Sequence, residues 1–540
     1  MFSMRISSSS ALSPVAGDKA APGVVLSPGA KNWLLLGLGL ATGMEFYTFD
    51  AMNLVIVDLA GTLGVSLDEA SWLLTIYSST LFLGVPVSVW LACHYGYRRY
   101  LVATTILFAV ASVGCMTAPD FEVMLGWRAV QGFAGAGLVV WWRASIYVLM
   151  PRPQRSPSLM RVSTMLYLSS ATGLLLGGAL TDAFTWRLLF LPDLAFAAGA
   201  VWLILRYFPD VPPPATDRVV GTDWLGITLI AVSLISLQIL LNRGHIDDWW
   251  ESPFIRLLSW LSATAFGAFV YWQTSPRNSA PLMRLDLLLD RYVLSAALIG
   301  VFAGMILSGS LYVLPEYLRN VASPKLSAAE AGTVMCVYAL TAAAIRPTMV
   351  EIIARLGQRK AIAGALLALI ASMLILSRLI TTTTPGLYYA PALMLYALCL
   401  SALLPAVGSG TVARVDQNKL LDGVSIYMTF RQFGASLGVA VLTFLIEERE
   451  TLHSSRLFEH LRESGGLTSA WLADAATNAV GRGGFAPADT DSVATRLLRE
   501  VSIHQSETLA NADAFLFMAA VGFVALCLLP IVPPTPPTKK

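Results

Sequence analysis

The stretch P-V-S-V-W-L-A-C-H-Y-G-Y-R-R, Pro86 to Arg99, recurs as P-T-M-V-E-I-I-A-R-L-G-Q-R-K, Pro347 to Lys360. Pro86/Pro347, Val89/Val350, Gly96/Gly357, Arg98/Arg359 and Arg99/Lys360 match at one constant offset of about 261. A match held at one spacing marks a duplicated half. Each copy closes a long apolar run and ends in a glycine followed by basic residues, the composition of a turn at a membrane face.

Outward from these two segments the chain is apolar almost throughout. Of 540 residues 56% are hydrophobic and only 13% are charged, where soluble domains carry about 25% charged residues. This composition excludes a soluble enzyme. Runs of spanning length lie at 33–57, 70–92, 101–118, 122–146, 162–182, 188–208, 220–242, 254–274, 292–315, 327–349, 361–380, 387–413, 423–446 and 511–532. Fourteen crossings of about 20 residues each would use nearly all the apolar residues available. The runs are too long for barrel strands, and lipid offers no partner for the backbone, so they are helices. The predicted fold class is therefore an all-α integral membrane protein of 14 transmembrane helices. The repeats follow spans two and ten, eight crossings apart, which implies two six-helix bundles plus two linking helices and is a plan shared with transporters.

Lys and Arg in alternate short loops divide as about 20 against about 6, which predicts that both termini are cytoplasmic in the cytoplasmic (inner) membrane. The expected organisation is a disordered cytoplasmic tail at 1–31 and an N-terminal bundle at 32–208. Linking helices at 209–291 are followed by a C-terminal bundle at 292–532, holding a long outer loop at 447–510, and then a cytoplasmic tail at 533–540. The tail at 1–31 lacks the continuous apolar core of a signal peptide. A net charge of +2 without a long basic block argues against nucleic acid. The 5 cysteines, Cys93, Cys115, Cys336, Cys399 and Cys527, sit in or beside apolar runs and read as small hydrophobes. His453 and His460 have no acid or third ligand convincingly beside them, so they read as surface residues and no metal is expected.

Ionisable residues inside spans carry the functional signal. Glu45 and Asp50 lie in span one, Glu45 near the midplane, and an ionised carboxylate there is expensive enough to make either residue a proton carrier by default. Arg128 in span four, with Gln131 and Gly135 on the same helix face at i, i+3 and i+7, should face an internal cavity. Arg143 follows about 60° round that helix and roughly 22 Å along it, so both cations could border one aqueous path. Trp141 and Trp142 either stack on an aromatic substrate or form an interfacial belt with a snorkelling Arg143, and their nearness to the helix end favours the belt. Phe46, Asn53, Trp142, Arg143, Gln131, Arg431 and Gln432 are the predicted cavity residues.

The chain from Trp33 to Leu529 resembles the major facilitator superfamily, in particular its fourteen-helix drug:proton antiporter branch, whose exporters can work with a periplasmic adaptor. The loop holding Leu91, Ala92, Gly96, Arg98 and Arg99 is similar to the superfamily signature, with Cys93 where an aspartate is usual. The resemblance gives Gly96, Arg98, Arg99, Gly357 and Arg359 a gating role. R-A-V-Q-G at Arg128 to Gly132 resembles the motif whose arginine serves proton coupling. Gly173, Gly177 and Gly178 match the antiporter signature of span five, with Leu174 replacing its proline, and are expected to act in conformational change. In span one the family acid aligns with Thr48, two residues before Asp50, while Asp193 stands where asparagine is usual. F-R-Q-F-G-A-S-L-G-V-A at Phe430 to Ala440 is the most branch-specific match.

The resemblance and the residues together imply proton-coupled efflux of amphipathic or aromatic drugs by alternating access. Glu45, Asp50 and Arg128 would handle the proton, with the proton motive force in place of any cofactor. The partners would be the lipid bilayer, a small amphipathic substrate and, in view of the loop at 447–510, a periplasmic adaptor protein; that loop could equally cap the outer vestibule. Alternatives are an exporter or permease dedicated to one metabolite, such as a siderophore, antibiotic or lipid-like acid, with or without proton coupling, and a transporter-like sensor. A membrane enzyme is disfavoured because no nucleophilic triad, metal-binding helix motif or nucleotide loop occurs.

Overall fold

Ser66 and Ser327 each open a helix with a complete capping box: the serine hydroxyl accepts from the amide of Glu69 or Glu330, whose carboxylate accepts from the serine amide in return. Both helices carry an internal proline, Pro86 or Pro347, and both end at a glycine with positive φ, Gly96 at 88° and Gly357 at 82°. Only glycine enters that region without strain, so it sets the turn into the next helix. Every one of these features repeats at the offset found in the sequence.

The computed structural model describes residues 27–210, 223–244, 246–278, 281–412, 420–463, 465–483 and 490–531. Most of the tail expected at 1–31, the loop residues 211–222 and 413–419 with Arg218, Arg414 and Lys419, and the C-terminal tail at 533–540 lie outside the described residues.

The first bundle comprises α1 (Pro28–Leu63), α2 (Leu67–Tyr95), α3 (Tyr97–Thr117), α4 (Phe121–Leu149), α5 (Arg152–Ala183) and α6 (Leu191–Tyr207). Two linking helices follow, α7 (Trp224–Arg243) and α8 (Pro253–Thr274). The second bundle comprises α9 (Arg291–Glu316), α10 (Ala328–Leu356), α11 (Gln358–Leu379), α12 (Ala390–Val412), α13 (Leu420–Glu463) and α15 (Thr490–Cys527), with α14 (Gly465–Gly483) between the last two. Among the described residues fourteen helices are long and apolar enough to cross a membrane, and there is no strand. Apolar side chains such as Trp202, Trp260 and Phe523 remain exposed on the outer surface, as a lipid-facing wall requires.

Glycines set the closest helix pairs. A Cβ at Gly173 would stand 2.4 Å from the Tyr47 carbonyl oxygen, and one at Gly434 would stand 2.0 Å from that of Val301. The pairs α1/α5 and α9/α13 are thus locked backbone to backbone in the same way. The bundles meet mainly along α5/α10, where Gly178 faces the Ala328 carbonyl, and along α2/α13. The linking pair rests against α2 and α13, its apolar side chains packed with Phe82, Val293 and Ile426. Asp223, just before α7, accepts from Trp272 Nε1 at 2.7 Å, Gln273 Nε2 at 2.6 Å, Asn278 Nδ2 at 2.9 Å and the Gly226 amide at 2.8 Å. Burial opposes its charge, yet these donors outweigh burial and hold the carboxyl below the usual carboxylate range.

The segment read as an outer loop at 447–510 is helical wherever it is described, because α13 and α15 continue well past their apolar runs and α14 lies between them. His453 differs from the expectation of a surface residue with no acid beside it: its Nε2 lies 2.9 Å from Asp513 Oδ2, and Arg449 lies 3.7 Å from the same oxygen, which ties α13 to α15.

Candidate functional site

Glu45 and Asp50 are five residues apart on α1, about 140° round the helix, so they serve different neighbours. Both are buried, each 7% exposed. Glu45 turns toward its own bundle, where the Tyr77 hydroxyl of α2 donates to it at 3.4 Å. Asp50 turns toward the bundle interface, accepting from Ser170 of α5 and, at 3.1 Å, from the Tyr338 hydroxyl of α10. Tyr77 and Tyr338 are repeat partners at the sequence offset, so one related pair of phenols supplies both acids of a single helix. Asp58 near the end of α1 pairs with Arg319, and the Asp182 carboxylate accepts from the Ala329 amide at 2.8 Å. Three carboxylates of the first bundle therefore hold the second.

A cavity of about 360 Å³ lies between the bundles. Of the predicted residues, Glu45, Phe46, Asp50, Asn53, Trp142, Arg143, Arg431 and Gln432 line it. Trp142 is 2% exposed and lies beneath the Arg143 guanidinium at 4.5 Å, while Arg143 also reaches the Met428 sulfur at 3.4 Å. The expected interfacial belt is therefore corrected: α13 covers this end of α4, so the pair faces the cavity instead of lipid. Trp141 is fully buried, donating to the Ser88 carbonyl at 3.2 Å and stacking on Tyr97.

Arg128 and Gln131 are a second correction, since neither belongs to the cavity wall and both are fully buried inside the first bundle. The Tyr77 ring stands between Arg128 and Glu45, with the guanidinium 4.2 Å from the ring centre. Arg128 Nη1 donates to Gln131 Oε1 at 2.7 Å, Gln131 Nε2 donates to the Ser112 hydroxyl at 2.8 Å, and Ser112 donates to Asp193 Oδ2 at 2.8 Å. Thr48 donates to the same carboxylate at 2.8 Å. Thr48 of α1, where the resemblance would place an acid, thus touches Asp193 of α6, and the carboxylate at this contact belongs to α6. Asp50, two residues from the expected position, is a separate group on a separate face.

Sequence reading missed several groups. Arg346 of α10 lines the cavity and donates to Ser163 at 2.9 Å and the Ser401 carbonyl at 2.7 Å. Glu316, Ser170, Tyr77 and Tyr338 line it as well. The repeat could have pointed to the tyrosine pair, but nothing in the sequence marks Arg346 as facing inward. Among the described residues, Arg143, Arg346 and Arg431 have no carboxylate within ion-pair distance.

The glycines and basic turns divide by task. Gly173 and Gly177 pack α5 on α1, and Gly178 packs it on α10. Arg98 donates to the Leu205 carbonyl in the last turn of α6, and Arg359 donates to that of Pro530 at 2.6 Å, just beyond α15. Each binds the closing helix end of its own bundle, where a cation suits exposed carbonyls. Arg99 is exposed.

Residues 38–439 match the profile of the Major Facilitator Superfamily. Similar curated proteins include the "Multidrug export protein EmrB" of Haemophilus influenzae, 22% identical over 95% of this chain and 98% of that one. The "Fatty acid resistance protein FarB" of Neisseria gonorrhoeae is 24% identical over 81% of this chain and 85% of its own. Among solved structures, a peptide transporter POT in complex with sulfate superposes with a TM-score of 0.60 at 13% identity, covering 94% of this chain and 96% of that one, a likeness of fold.

Proposed function

This chain belongs to the Major Facilitator Superfamily, in its fourteen-helix drug:proton antiporter branch, and we propose that it exports amphipathic, partly aromatic compounds by alternating access of its two bundles, driven by the proton motive force without a bound cofactor. The observation that carries this reading is the position of Glu45 and Asp50 on one helix, both lining a cavity between the bundles whose wall also holds Phe46, Trp142 and Tyr167. A carboxylate there gains a proton from one side, loses the cost of a buried charge, and changes which bundle contacts are favourable. For Asp50 the linkage is direct: protonation weakens what it accepts from Tyr338, a contact between bundles. Relatives named as multidrug export and fatty acid resistance proteins support export as the direction.

The multi-pass protein is assigned to the inner membrane with both termini cytoplasmic, on the loop charge asymmetry. The helical extension formed by α13, α14 and α15 would then lie outside, where it offers a surface for a periplasmic adaptor. A second reading, a dedicated exporter of one organic acid, is favoured by Arg143, Arg346 and Arg431, three cations on the cavity wall without acid partners among the described residues. Such cations suit a carboxylate.

Proton flux in proteoliposomes under an imposed pH gradient tests the main reading, with a panel of lipophilic cations and aromatic acids and with E45Q and D50N alongside. A compound that collapses the gradient in wild type but not in one of the variants supports it. Compounds that cross without proton movement in every version refute proton coupling and leave a facilitator.

A further inference from the structure

Arg128 carries a charge in the interior of the first bundle, and two carboxylates are within reach of it by different routes. Glu45 is reached through the face and hydroxyl of Tyr77 and opens to the cavity, where Arg431 of α13 and Asp50 of α1 are the other charged groups that act on it. Asp193 is reached through Gln131 and Ser112 and is 0% exposed.

The second route has only one polarity. A guanidinium can only donate, so the Gln131 carbonyl must face Arg128 and its amide must face Ser112. The Ser112 oxygen is then an acceptor on that side, which leaves its proton for Asp193 Oδ2. Thr48 contributes a further hydroxyl at 2.9 Å from Oδ1 and 2.8 Å from Oδ2. Every donor in the relay points at Asp193, the arrangement that stabilises an anion. Among the described residues no cation lies within ion-pair distance of Asp193. The other titratable groups within electrostatic reach are Tyr47 of α1, whose hydroxyl donates to the Leu189 carbonyl at 2.9 Å, Tyr77 of α2 and Cys115 of α3. By their ordinary values none of the three is charged at neutral pH.

We propose that Asp193 is the standing counter-ion of Arg128, which leaves Glu45 free to bind and release a proton at the cavity. The proposal rests on the reading of Glu45 as a proton carrier. When the Glu45 carboxylate takes a proton from the cavity and becomes a neutral acid, the guanidinium keeps a balancing charge through the relay. Without Asp193, Glu45 is the remaining carboxylate within electrostatic reach of Arg128 and, already facing Arg431, is held ionised. Asp193 is a positioning residue for the proton step and does not itself contact the cavity.

The test measures proton uptake by the purified full-length protein in nanodiscs, using an indicator dye and a jump from mildly alkaline to mildly acidic pH, so that no transported compound is needed. In wild type, the uptake that E45Q removes is the share due to Glu45. This share is expected to vanish in D193N, to return in R128Q/D193N, where the orphaned cation is gone, and to persist in T48D/D193N, where the carboxylate is placed across the existing Thr48–Asp193 contact. If the Glu45-dependent uptake in D193N equals that of wild type, or if wild type has none, the proposal is overturned. Should D193N fail to fold, T48D/D193N decides: retained uptake supports the proposal and lost uptake overturns it. A protein that passes this test but moves no compound in proteoliposomes loses the export reading and keeps the counter-ion assignment.

Discussion

The two bundles share a scaffold but not a chemistry. At one offset they repeat the capping boxes at Ser66 and Ser327, the helix prolines Pro86 and Pro347, the turn glycines Gly96 and Gly357, the packing glycines Gly173 and Gly434, and the phenols Tyr77 and Tyr338. The acids do not repeat. α1 carries Glu45 and Asp50 in its buried middle, whereas α9 is charged only at its ends, at Arg291 and Glu316. Arg128 of α4 has no charged counterpart in α12, and Arg346 of α10 ends its contacts on neutral oxygens. Each bundle must be built, so caps and close contacts are needed twice. A proton path through a shared cavity is needed once.

The largest predicted difference between bundles is in their buried arginines. R128M removes the buried donor to Gln131 Oε1 and, on the counter-ion proposal, the charge that balances Asp193 through two relay side chains, and should cost about 3 kcal/mol, the upper end for hydrogen bonds made by charged groups. R346M removes donors to neutral acceptors and should cost about 1–2 kcal/mol. Thermal unfolding in detergent, followed by intrinsic fluorescence, compares them, and equal losses would erase the distinction drawn between the bundles.

The shared scaffold predicts the opposite pattern for its glycines. G173A and G434A each drive a methyl group into a backbone carbonyl, and both should lose about 1–3 kcal/mol by the same measure. A free loss at one site and a large one at the other would show that the repeat is not structural. The phenols should separate again, at about 1 kcal/mol each. Y338F removes a tie between bundles and should raise the rate at which a cysteine pair across α5 and α10 loses cross-linking, whereas Y77F should leave that rate unchanged. The smallest effect is expected in the linking pair. Asp223 is held below its unfolded value, so its contribution is present above the ordinary carboxylate range and is lost as pH falls below about 4 through the lower folded value. Protection factors of α7 and α8 amides, each referred to intrinsic exchange at the same pH, should fall on acidification in wild type, and D223N should remove that fall.

Much of the fold could be read from the chain because lipid imposes a simple rule. Apolar runs long enough to cross must be helices, so the fourteen spans and the repeat are visible without neighbours. Helix ends were less legible: hydropathy ends near 446 and resumes near 511, but α13 reaches Glu463 and α15 begins at Thr490, since a helix continues into water where polar residues favour it. The site was legible as a set of residue types and less so as an arrangement. Glu45, Asp50, Arg143 and Arg431 stand out as ionisable groups in apolar runs and do line the cavity. Arg128 stands out for the same reason but is enclosed, and Asp193 was visible only as a departure from a motif.

By itself the sequence determined that this chain is helical, spans a membrane, is duplicated, and carries acids and bases within its spans, because burial in lipid constrains each helix one residue at a time. Only the tertiary structure decided which of those charges meet. Asp50 reaches Tyr338 across 288 positions and Asp193 reaches Thr48 across 145. Such contacts depend on how helices rotate and cross, which side-chain packing sets between elements and no single run of residues encodes.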